Sequence, residues 1–182
     1  EGVEEVGDKE AVKPLKLEMT DEERAIIEEA EKKADDVWNR ARLIKWASTF
    51  DKDRDWVDKM FEVHSDKIVY KEEKLNLNNT QVSEIPPNLQ VEVLDLSNTQ
   101  VREIPPGLQV KELYLSNTQV REIPPGLQVK VLWLNNTQVR EIPQGLQVEV
   151  LDLSNTQVSE IPPGLQVKRL YLSNTQVREI PP

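Results

Sequence analysis

Val91-Glu92-Val93-Leu94-Asp95-Leu96-Ser97-Asn98-Thr99-Gln100-Val101-Arg102-Glu103-Ile104-Pro105-Pro106-Gly107-Leu108-Gln109 decides the fold, because the residues on either side of it repeat it. From Leu75, the residues Leu94, Leu113, Leu132, Leu151 and Leu170 recur every 19 residues, and Leu77, Leu96, Leu115, Leu134, Leu153 and Leu172 follow two places later. Further columns run through Val82 to Val177, Ile85 to Ile180, Leu89 to Leu165 and Val91 to Val167. Self-similarity at a fixed period of this size is the mark of a repeat architecture.

Each column has a physical meaning. Leu-x-Leu alternates with period two, so it predicts a short strand with both leucines on one face. The Pro pair that follows, as in Pro105-Pro106, cannot donate to a strand ladder and favours an extended, polyproline-like segment. Gly107, Gly126, Gly145 and Gly164 stand where the chain turns back, and the first unit has Asn88 there. Asn is the common substitute for Gly at positive φ, so a left-handed turn is the expectation. One such coil cannot bury its own apolar side, whereas stacked coils join the columns into continuous stripes. The expected fold class is therefore an α/β solenoid of 19-residue coils with short parallel strands, five full units and a partial sixth over residues 75–182.

The segment Val91 to Val101 resembles the LxxLxLxxNxL pattern of leucine-rich repeats. It departs at Thr99, and at Thr80, Thr118, Thr137, Thr156 and Thr175, which stand where that family carries a buried Asn ladder. An alternative register puts the Asn98 column there; Thr is favoured because it keeps the spacing to Val101. Ile104-Pro105-Pro106-Gly107-Leu108 is similar to the Leu-Pro-x-x-Leu turn of the short bacterial class found in type III secretion effectors. The resemblance implies a protein-binding module using the concave sheet face, and a secreted or extracellular location; composition leaves the compartment open.

Residues 1–19 are acidic, contain Pro14 and read as a flexible tail. Thr20-Asp21-Glu22-Glu23 is a capping box that starts a helix. Ile26, Ala30, Ala34, Val37, Ala41 and Ile44 follow at helical spacing, with Trp38 and Trp46 near the same face. A break at Ser48-Thr49 precedes a second helix expected over about Asp53 to His64, and Lys67 to Lys74 leads into the first repeat strand. Residues 20–74 thus read as a helical hairpin capping the first coil, which would otherwise expose its apolar edge. The alternative is an independent partner-binding or secretion element.

Chemistry is sparse. The chain of 182 residues carries a net charge of −10, one His and no Cys. There is no basic footprint for nucleic acid, no thiolate chemistry, and no apolar run near the roughly 20 residues that span a bilayer. The sole His64 lacks a second His or Cys, and no phosphate-binding glycine motif occurs. No catalytic, cofactor or metal residues are expected, and the chain does not read as an enzyme. Glu84, Glu103, Glu122, Glu141, Glu160 and Glu179 form one column at an expected spacing of about 5 Å. With Arg102, Arg121, Arg140 and Arg178 before four of them, they read as solvated columns of opposite charge rather than a cation ladder. Asn78 and Asn135 match the N-glycosylation pattern as by-products of the repeat.

The positions that break the repeat carry more information. Between the strand leucines stand Asn76, Asp95, Tyr114, Trp133, Asp152 and Tyr171; just before the first leucine stand Lys74, Val93, Glu112, Val131, Val150 and Arg169. Variation concentrated on the sheet face, with large aromatics in it, is the pattern of a partner-binding surface. The expected patch is Tyr114, Val131, Trp133 and Val150, edged by Asp95, Asp152, Arg169 and Tyr171. The partner is a protein or another copy of this chain. The sequence stops at Pro182, part-way through a unit, so the expectation is that either more chain follows or another molecule covers that edge. The latter would build a head-to-tail filament or extracellular assembly.

Overall fold

Leu-x-Leu, repeated at a fixed interval, forms the parallel strands of a β-solenoid in the computed structural model, which describes residues 18–182 without the side chains of 34–36. Its elements are α1 (Asp21–Asp36), α2 (Arg40–Ser48), α3 (Arg54–Met60), β1 (Phe61–Val63), β2 (Ile68–Tyr70), β3 (Lys74–Asn76), β4 (Leu89–Asp95), β5 (Gln109–Tyr114), β6 (Val131–Trp133), β7 (Val150–Asp152) and β8 (Arg169–Tyr171). The chain divides into two compact units, Glu1–Val37 and Trp38–Pro182.

In the second unit β3 to β8 pair in parallel, each with the next. Leu75, Leu94, Leu113, Leu132, Leu151 and Leu170 stand opposite one another in that order. A second line of pairing runs through Gln90, Gln109, Gln128, Gln147 and Gln166, with the link from Gln109 to Gln128 missing among the described pairs. The stripes close into one core, with Leu94, Leu96, Val101, Ile104, Leu108 and Val110 buried in a typical coil.

Turn chemistry follows the residues. Asn88 (φ 59°) and Gly107 (φ 73°) adopt the left-handed conformation expected of them. A second left-handed turn in each coil, at Asn79, Asn98, Asn117, Asn136, Asn155 and Asn174, is not anticipated by the Gly-Pro pattern. It settles the register: Asn98 is exposed, and Thr99 is buried with its hydroxyl donating to the Leu96 carbonyl at 2.6 Å. The same bond recurs from Thr118 to Leu115 and from Thr137 to Leu134. Thr therefore closes its own coil rather than laddering between coils. The links between coils come from main chain, as in Asn98 N–H to the Ser116 carbonyl at 2.9 Å, and from exposed amides, as in Asn117 Nδ2 to Asn98 Oδ1 at 2.8 Å. Thr118→Val keeps the shape and removes one buried donor, so it should cost about 1 kcal/mol, read as a lowered midpoint in urea unfolding.

Residues 38–74 correct two expectations. The helix expected to run on from Thr20 past Ile44 stops at Asp36, because Asn39 accepts a hydrogen bond from Arg42 N–H at 2.9 Å and starts α2 afresh. Ile26 and Val37 are exposed instead of lying on one buried face. The capping box itself forms, with Thr20 N–H donating to Glu23 Oε2 at 2.8 Å and Glu23 N–H to Thr20 Oγ1 at 3.2 Å. The second helix, capped by Asp53, ends at Met60 rather than near His64. Phe61–Val63 and Ile68–Tyr70 form an antiparallel hairpin, and β2 adds in parallel to β4 beside β3. β-Branched and aromatic residues there favour strand over helix. The tail expected over 1–19 falls outside the described residues except for Glu18 and Met19.

Leu43, Trp46, Ala47, Phe50, Val57, Phe61 and Ile68 are buried in the same cluster as Leu75, Leu77 and Leu89. Trp46 packs edge-on to Phe50 at 4.8 Å and to Phe61 at 6.1 Å, and its Nε1 donates to the Glu84 carbonyl at 2.8 Å. Arg42 stacks over Trp38 at 3.9 Å and reaches the Glu84 carboxylate at 2.6 Å. Arg40 clasps Asp58 with bonds of 2.7 and 2.8 Å, and holds that carboxyl below the usual carboxylate range.

Candidate functional site

Because β-strand side chains alternate, the residue between two buried leucines must point out of the sheet. Strand pairing then sets these residues side by side: Asn76, Asp95, Tyr114, Trp133, Asp152 and Tyr171 form one row. Lys74, Val93, Glu112, Val131, Val150 and Arg169 form the other. All eight residues singled out from the sequence thus lie on one face in two adjacent rows.

The centre of that face is aromatic. Tyr114 and Trp133 meet edge to face, with ring centroids 4.6 Å apart and planes at 68°. Trp133 remains 43% exposed and Tyr171 47% exposed. Val131 and Val150 are half-buried beside them, so they form the floor of the patch more than its summit. Partial burial, then the charge of Glu112 and its hydrogen bond with the phenol, then the charge of Asp95, raise the Tyr114 hydroxyl above the ordinary tyrosine range. It stays protonated through neutral pH, with its O–H donated to the Glu112 carboxylate.

Asp95 and Asp152 have local work as well. Each accepts from the backbone two residues on, Asp95 from Ser97 N–H at 3.0 Å and Asp152 from Ser154 N–H at 2.9 Å, closing an Asx turn. Sequence reasoning misses the row that follows. Asn78 Nδ2 donates to Asp95 Oδ2 at 3.4 Å, and Ser116 Oγ donates to Asn135 Oδ1, so both glycosylation-pattern asparagines border this face. A polar residue two places after each face position is the only signal that could have found them.

Elsewhere the repeated charges of Arg102, Glu103, Arg121 and Glu122 are exposed. Arg102 and Arg121 donate to Gln119 and Gln138 of the next coil, at 3.0 and 3.1 Å, instead of pairing with the glutamate column. Shallow clefts lined by Arg121, Gln138, Arg140 and Glu141 lie between these turns. Among the described residues, no three His, Asp or Glu side chains are placed to share a metal ion. His64 is exposed on the β1–β2 hairpin, with Glu62 at 3.4 Å. No helix among the described residues is long and apolar enough to cross a membrane. Comparisons with protein-family models, with curated proteins and with solved structures find no match for this chain.

Proposed function

We propose that this chain is a non-catalytic protein-interaction module of the leucine-rich-repeat kind, binding a protein partner on the sheet face centred on Tyr114 and Trp133. The observation that carries the reading is the exposed Trp133, packed on Tyr114 in the region where the repeats differ most. Large, rigid aromatics with a polar rim are what interfaces use as anchors. The Leu-x-Leu strands, stacked in parallel at a 19-residue period, support the leucine-rich-repeat assignment. The segment from α2 to β2, sharing its core with the first coil, supports the role of a cap. The net charge of −10 argues for protein rather than nucleic acid as the partner.

Trp133→Ala tests this. With the ring nearly half exposed, truncation should cost the fold under about 1 kcal/mol, whereas a central anchor contributes about 2 kcal/mol or more to binding. Titration calorimetry with a co-purified partner should therefore show at least a tenfold loss of affinity. Unchanged affinity removes the face from consideration. Mass that rises with concentration for the wild type, and not for Trp133→Ala, would make a second copy the occupant.

A further inference from the structure

Three carboxylates surround the aromatic pair. Strand register puts Asp95 beside Tyr114, Asp152 beside Trp133, and Glu112 beside Val131. The coil of Trp133 therefore lies between those of Glu112 and Asp152, one step of about 4.8 Å from each. The basic groups of the two rows stand at their ends, Lys74 and Arg169. On the rim, Lys111 faces Glu92 at 3.4 Å and Lys168 faces Glu149 at 3.3 Å, while Lys130 precedes Val131. Among the described residues, Asp95, Glu112 and Asp152 take part in no ion pair.

The Asx turns do not require this charge. Asn76 makes the same turn, accepting from Asn78 N–H at 3.1 Å, with a neutral amide. At positions 95 and 152 the negative charge is thus additional to the turn. The donors these carboxylates have are neutral, Ser97 N–H and Asn78 Nδ2 at Asp95, Ser154 N–H at Asp152 and the Tyr114 hydroxyl at Glu112, so their charge stays unbalanced; a purely apolar partner would strip water from that charge, and an acidic one would be repelled. A cationic side chain satisfies both features of the site, since it is attracted to the exposed face of Trp133 and to the flanking carboxylates.

We propose that this face takes a protein segment through a lysine or arginine side chain seated over Trp133, between Glu112 and Asp152. The proposal rests on the reading of the face as a protein-binding surface. A random-peptide phage library, selected on the immobilised full chain and counter-selected on Trp133→Ala, separates the two. Enrichment of Lys or Arg among Trp133-dependent binders is the expected result. Trp133-dependent binders without that enrichment overturn the cationic occupant and leave the binding face standing. Absence of any Trp133-dependent binder overturns both. For an enriched peptide, Glu112→Gln should weaken binding about tenfold, and added salt should weaken it further. Glu122→Gln, an equal change of net charge outside the two rows, should leave binding unaltered. Equal losses in the two variants would reduce the effect to overall charge and overturn the proposal.

Discussion

Trp46→Ala is expected to lower the unfolding free energy of the Trp38–Pro182 unit by about 3–5 kcal/mol. The side chain is 2% exposed and is among the largest fully buried side chains. Truncation removes its edge contacts with Trp38, Phe50 and Phe61 and opens a cavity between α2 and the first coil. It also removes the donor to the Glu84 carbonyl. In a solenoid each coil is stabilised by its neighbours, so a loss at the first coil is passed on as a missing interface term. Urea unfolding followed by circular dichroism measures the effect. Trp46→Phe should recover most of the packing and none of the hydrogen bond, leaving a deficit of about 1–2 kcal/mol. A loss under about 1 kcal/mol for Trp46→Ala would mean that the helices contribute little to the coils, and would sink the proposal that this segment is a cap.

The repeat was legible because its columns are apolar and strictly spaced, and burial in stacked coils depends on just those two properties. Gly107 and Asn88 were legible for a similar reason: few residues tolerate positive φ, so the residue type reveals the backbone. The break between α1 and α2 was not. Val37, Trp38 and Ala41 continue the helical spacing of apolar residues, and the interruption depends on the Asn39 side chain winning the Arg42 N–H. Asn caps helices and also sits passively within them, so one Asn in a periodic run does not announce a boundary. The Phe61–Tyr70 hairpin escaped because its strands have three residues each, too short to show alternation. The face was legible in membership, since the alternation of strand side chains dictates which residues point outward. Its contacts were not. That Tyr114 leans on Trp133, and that Asp95 and Asp152 are tied to Ser97 and Ser154, depends on side-chain torsions that no spacing specifies.

Leu132→Ala should cost about 3–4 kcal/mol, and Leu170→Ala, the same substitution in the same column, about half of that. Leu132 is 0% exposed, and its strand is paired on both sides, with Leu113 opposite it in one direction and Leu151 in the other. Leu170 is only partly buried and, among the described residues, has a paired strand on one side alone, through Leu151. The removed atoms are identical, so the transfer contribution differs only through burial. The remaining difference is the cavity, which neighbours on both sides prevent from collapsing. Guanidinium unfolding of the two variants gives the comparison. If the coils unfold as one cooperative unit, Leu132→Ala moves the midpoint and keeps the slope. If the array divides at the damaged coil, the slope falls and a second transition separates the segments before and after Leu132. Equal costs at the two leucines would contradict the nearest-neighbour account, because they would mean that a coil's stability is set within its own repeat and owes nothing to the coil stacked against it.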